Sequence, residues 1–132
     1  MTVTSDEIIA RAKEVLERDG WCQHRAHASD GTHCAMGALA QAMDELIPPH
    51  RLVGDWTAGA NRTTYTSTTE WKEYNKRNAE RESLYSQAHV KIMAQVKKDF
   101  SDHWAHIPMW NDEPGRTQED VMLTFKKALE DG

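Results

Sequence analysis

Apolar residues recur along this chain at three- and four-residue spacing in several separate stretches. That is the period of a helix with one buried face. Ile8, Ala12, Val15 and Leu16 form the first stripe, and Glu14, Glu17 and Arg18 fall largely off it. Thr4 and Glu7 stand ahead of it in T-x-x-E register, where hydroxyl and carboxylate each satisfy an amide that the helix leaves unpaired. Gly20 supplies the stop. A second stripe, Met36, Leu39, Met43 and Leu46, predicts a helix that begins near Cys34, with Thr32 as its candidate cap. Pro48 and Pro49 end it, because neither can donate to the ladder. Gly37, Ala38 and Ala42 are small and permit close approach of another element.

A third helical region starts at a second capping box, Ser67 and Glu70, and runs to about Phe100. Its first half is strongly charged, with Trp71 and Tyr74 as its large apolar residues. Its second half carries Tyr85, Ala88, Ile92, Val96 and Phe100. One helix of roughly thirty residues exceeds the usual length, so a break or bend is expected near residues 78–83. Thr117 and Asp120 cap a last helix whose buried face is Val121, Met122, Phe125, Ala128 and Leu129.

The intervening segments lack a period. Residues 21–33 are aperiodic, with a turn at Asp30-Gly31. Residues 52–69 are polar and rich in Thr, Gly and Asn, which predicts a long surface loop or a short hairpin. In IPMWNDEPGRT, residues 107–117, Pro114-Gly115 has the residue types of a type II turn, and pieces such as IPMW or the LVG of residues 52–54 are suited to brief pairing at an edge. No run demands a core strand. The expected fold is all-α: one domain spanning residues 1–132, about four main helices, and a long loop or insertion between the second and third.

Composition narrows the function classes. The chain has 132 residues, enough to bury a core without staples. Five tryptophans argue for packing or contact surface and against a disordered tail. The net charge of −5 is spread through the chain with no basic block, so nucleic-acid binding has little electrostatic support. No stretch is apolar enough to span a bilayer, and the first residues lack the charged and apolar regions of a signal peptide. The expected location is the cytoplasm, where two cysteines are thiols in preference to a permanent disulfide.

The chemistry-bearing types concentrate in GWCQHRAHASDGTHCAMGAL, residues 20–39. Cys22, His24, His27 and Cys34, with His33, have the donor types of a zinc site, although their spacing matches no common finger or ribbon. Cys34 is the candidate nucleophile, since a helix start favours a thiolate. His33, His103 or His106 would be its base, and Asp112 or Asn111 the group orienting that base. The alternative is a small core residue. A disulfide between Cys22 and Cys34 is geometrically possible but disfavoured by a reducing cytosol. Asn111 and Asp112 are better suited to organising a turn, and Arg116 to pairing with Asp112 or docking on a helix C-terminus. If a pocket exists, Trp21, Gln23, Trp110, Asn111 and Asp112 are the expected binding residues. Trp71 and Tyr74, aromatics on a charged helix, are candidate anchors for a protein partner.

The G-W-C-Q of residues 20–23, D-G-x-x-C-A-x-G-A-L of 30–39 and W-N-D-x-P-G-R-T of 110–117 resemble a family. It is a domain of unknown function in small proteins of actinobacteria and their bacteriophages. The resemblance covers the first two helices, the loop between them and the C-terminal third, and leaves residues 52–82 as a variable insertion. It implies a compact helical domain and a phage or prophage origin. It brings no activity, and it emphasises the Trp, the Gln, the second Cys and the Gly-Ala pair, not the histidines. The leading expectation is a non-enzymatic, cofactor-free protein that binds a host protein. A cysteine-dependent hydrolase or transferase centred on Cys34 and a structural zinc domain are the alternatives.

Overall fold

A computed structural model describes residues 2–49, 69–101 and 103–131. Among the described residues there are five helices: α1 (Ser5–Asp19), α2 (Ala35–Leu46), α3 (Thr69–Asp99), the short α4 (Ile107–Asn111) and α5 (Gln118–Asp131). The only extended pairing among the described residues is two isolated bridges, Trp21 with His33 and His27 with His33. The chain is therefore all-α. The expected edge pairing of IPMW is not formed, because those residues make up α4.

Helix α1 lies at the centre, packed on α2, α3 and α5. The capping box that opens it is complete: Thr4 Oγ1 accepts from Glu7 N, and the Glu7 carboxylate accepts from Thr4 N. Its apolar stripe is wholly buried, and so are Ala35, Ala38, Leu39 and Ala42 of α2. Val121 and Phe125 of α5 and Ala88, Ile92 and Val96 of α3 close the same core. Thr117 and Asp120 exchange hydrogen bonds at the start of α5 as the spacing predicts. Arg116 N donates to Glu113 O across Pro114-Gly115, with Gly115 at φ 91°, as a type II turn requires.

Two expectations need correction. The cap of α2 is Cys34, not Thr32. The Thr32 hydroxyl and amide are both taken by the Asp30 carboxylate, at 2.7 and 3.1 Å. The bend expected near residues 78–83 is absent, and α3 runs unbroken for 31 residues. Its sequence contains no glycine or proline, and its charged half is anchored from outside. Arg77 donates to Pro48 O at 2.9 Å, and Arg81 donates to Ile47 O and Met43 O and pairs with Asp44. These guanidiniums satisfy carbonyls at and beyond the end of α2, where the helix dipole favours cations. The loop expected at 52–69, the Ser67–Glu70 box and the Trp71 side chain lie outside the described residues. Among the described residues, no helix is long and apolar enough to cross a membrane.

Candidate functional site

The loop between α1 and α2 brings the chemistry-bearing residues together. Gly20, at φ 92°, ends α1 by donating to Leu16 O at 2.9 Å. The chain then doubles back on itself. His33 N donates to Gly20 O, Cys22 N to His33 O, Ala28 N to Thr32 O and Cys34 N to Ala26 O. This knot of backbone bonds delivers Cys34 to the first turn of α2 in extended conformation, as a cap requires. Its sulfur accepts from Gly37 N at 3.3 Å and is 6% exposed. Burial pushes the Cys34 thiol up, with smaller contributions from nearby Cys22 and Asp112; the Gly37 and Met36 amides act in the opposite direction. The sulfur is therefore held as a neutral thiol, the less nucleophilic form.

His33 does not serve that sulfur. Its ring is buried with both nitrogens engaged: Nε2 meets Asp19 Oδ2 at 2.8 Å, and Nδ1 meets His27 Nδ1 at 2.8 Å. In the tautomer whose Nε2–H donates to the carboxylate, Nδ1 accepts from His27. Asp19 is gripped by Arg18 through two bonds of 2.8 Å, and Arg18 also reaches Glu45 at 2.8 Å. The Arg18 guanidinium, then the His33 ring, hold the Asp19 carboxyl well below the usual carboxylate range. Hydrogen bonding to Arg18 lowers Glu45 to about 2 from its ordinary 4.5.

Asn111 is the centre of a second cluster. Its side chain is fully buried. Oδ1 accepts from Trp21 Nε1 at 2.6 Å and from Ala35 N at 2.9 Å. Nδ2 donates to Cys22 O at 3.2 Å and to Asp112 Oδ1 at 2.9 Å. Gln23 Nε2 donates to the carbonyls of Asn111 and Glu113, and Asp112 Oδ1 accepts from His24 N at 2.8 Å. One amide thus ties three separate pieces of chain: the loop after α1, the start of α2 and the end of α4. Arg116 docks on the α4 terminus, as one of its two expected roles has it. Its Nε donates to Trp110 O at 3.0 Å, and its guanidinium lies over Phe100, Trp110 and Trp104.

The residues singled out in the sequence therefore separate into groups. Trp21, Gln23, Asn111 and Asp112 converge, with Trp110 buried beside them, and the polar atoms of these four bond one another and the backbone. The proposed metal donors are each engaged elsewhere. His27 points at His33, the His24 ring sits 3.8 Å from Asp112, Cys34 caps α2, and Cys22 Sγ donates to Arg25 O at 3.3 Å. Among the described residues, no three His, Cys, Asp or Glu side chains are placed to share an ion. Tyr74 is half-buried on α3. Sequence reasoning missed Asp19 as the partner of His33, and it missed a groove of about 460 Å³ between α2 and α3. Ala40, Met43, Asp44, Arg81, Tyr85 and His89 line that groove. Burial pushes the His89 imidazole down and the Tyr85 phenol up, and the Tyr85 hydroxyl donates to Met36 O. The signal in the sequence was the spacing of Arg81, Tyr85 and His89, which puts them on one face of a helix.

A known sequence family matches the chain from residue 1 to residue 131. The chain belongs to the family of unknown function DUF6197. The match includes residues 52–82, which the motif resemblance had left out. No curated protein and no solved structure matches the chain significantly.

The Arg18–Glu45 contact gives the DUF6197 fold a defined acid response. A carboxylate lowered on folding adds stability above its unfolded pKa, and that stability is lost as pH falls through the folded value. Denaturant midpoints are therefore expected to decline as pH drops from about 4.5 toward about 2. Asp19 contributes with the same sign. Glu45→Gln should flatten the decline in a series of urea titrations at stepped pH. Identical slopes for the variant and the wild type would remove this pair from the acid response.

Proposed function

We propose that this chain is a non-enzymatic binding module of the bacterial cytoplasm whose partner is another protein, a host factor for a gene of phage or prophage origin. The observation that carries this reading is the groove between α2 and α3. Its lining joins Ala40, Met43 and Tyr85 with Asp44, Arg81, Glu82 and His89. A groove with both apolar and charged lining suits an amphipathic segment of a partner. Several groups suited to chemistry favour the same reading, because they are committed to holding the fold: His33 to Asp19 and His27, Asn111 and Asp112 to the loop.

The test is affinity capture from host lysate with quantitative mass spectrometry. Wild type is compared with Ala40→Arg and Ser86→Arg, which fill the groove, and with Leu123→Ser on α5, half exposed and outside the groove's lining. A partner retained by wild type and Leu123→Ser, and lost by both groove variants, supports the reading. Absence of a reproducible partner, or one indifferent to the groove variants, overturns it.

A further inference from the structure

The two cysteines follow the two residues of an isolated bridge in the loop between α1 and α2. His33 N donates to Gly20 O at 3.1 Å and Cys22 N donates to His33 O at 2.9 Å, the pattern of a parallel bridge between Trp21 and His33. Cys22 and Cys34 are each the next residue along, so in parallel register they are lateral neighbours on one face. Adjacent strands lie about 5 Å apart, inside the roughly 4.4–6.8 Å that a disulfide spans between Cα atoms. Both residues also converge on one short stretch. Cys22 Sγ donates to Arg25 O at 3.3 Å, and Cys34 N donates to Ala26 O at 3.2 Å. Their environments differ. Cys22 is partly exposed and Cys34 is buried.

We propose that Cys22 and Cys34 form a reversible dithiol–disulfide pair, with Cys22 as the thiol that meets the oxidant and Cys34 as the thiol that resolves it. The oxidant is hydrogen peroxide. The Cys22 sulfur attacks the O–O bond, giving a sulfenic acid and releasing water after proton transfer. The Cys34 thiol then attacks that sulfur. The S–S bond forms, and the hydroxyl leaves as a second water, taking the Cys34 proton. Two electrons pass from the thiols to the peroxide. A dithiol reductant reverses the change by exchange and leaves as its own disulfide. The chemistry is independent of the groove and of any partner.

The experiment exposes the full chain to hydrogen peroxide, alkylates remaining thiols after denaturation and maps the peptides by mass spectrometry. Wild type is expected to lose both thiols together, to yield a Cys22–Cys34 linked peptide, and to regain both thiols with dithiothreitol. Cys34→Ser keeps a side chain suited to capping α2, so the fold is retained. In it, a sulfenic acid at Cys22 should accumulate and be trapped by dimedone. In Cys22→Ser, oxidation of Cys34 should slow at least tenfold. Three results would overturn the pairing: a wild-type Cys22 sulfenic acid that persists beside an alkylatable Cys34, covalent dimers as the main product, or undiminished Cys34 oxidation in Cys22→Ser.

Discussion

Asn111→Ala is expected to lower folding stability by about 4 kcal/mol, with at least three polar groups losing a partner at once. The Asn111 side chain is fully buried and accepts from Trp21 Nε1 and the Ala35 amide while donating to the Cys22 carbonyl. Each buried group left unpaired costs about 1–3 kcal/mol, and relaxation or water entry recovers part of the sum. The volume lost adds a cavity term of its own. Urea denaturation, with the slope unchanged between wild type and variant, measures the effect. Asn111→Asp separates the polar contribution from the volume. It keeps the acceptor facing Trp21 and Ala35 but sets an oxygen against the Cys22 carbonyl and the Asp112 carboxylate. That variant should be destabilised at neutral pH and recover as pH falls, because protonation restores a donor and removes a charge. A loss below about 1 kcal/mol for Asn111→Ala would mean that packing alone positions the two loops.

What the sequence made legible was what is local. The T-x-x-E box at Thr4, the T-x-x-D box at Thr117 and the stripes of α1, α2 and α5 act within a few residues, so spacing alone identifies them. The uninterrupted course of α3 was not legible. Its charged half is held by Arg77 and Arg81 on carbonyls some thirty positions earlier, and no periodicity within α3 records that. The α2 cap was misassigned for a related reason. Thr32 is the better capping type, but Asp30 claims its hydroxyl, and the extended residue that reaches the helix is Cys34.

The candidate site shows the same division between residue type and direction. Trp21, Gln23, Asn111 and Asp112 were singled out from segments some ninety positions apart, and the fold does bring them together. Residue type could not reveal where their polar atoms point. An asparagine after a tryptophan reads the same whether it faces a ligand or the amide of Ala35. The histidines illustrate the converse. His27 and His33 were grouped as metal donors by proximity in sequence, yet the carboxylate that orients His33 is Asp19, at the last turn of α1.

Gly37→Ala is the second substitution expected to have a large effect, and helix propensity gives it the wrong sign. In the interior of an exposed helix, alanine is favoured over glycine by about 1 kcal/mol. Gly37, however, is buried against the loop. A Cβ built there would lie 1.9 Å from Ala26 O, 2.7 Å from its carbonyl carbon and 3.0 Å from its Cα. These are backbone atoms, so no side-chain rotation relieves the overlap. Ala26 O also accepts from Cys34 N, and the Gly37 amide donates to Cys34 Sγ. Moving the loop away breaks the first bond, while moving the start of α2 strains the second and drags Ala35 from Asn111. Either adjustment outweighs the propensity gain, and the net destabilisation is expected to be about 3 kcal/mol. Denaturant unfolding gives the magnitude. The rate of Cys34 alkylation in the folded protein gives the mechanism, because a displaced loop uncovers that sulfur. A variant that is neutral or stabilised, with Cys34 as protected as in the wild type, would show that the loop yields freely and that the close approach of Ala26 to α2 contributes nothing to the fold.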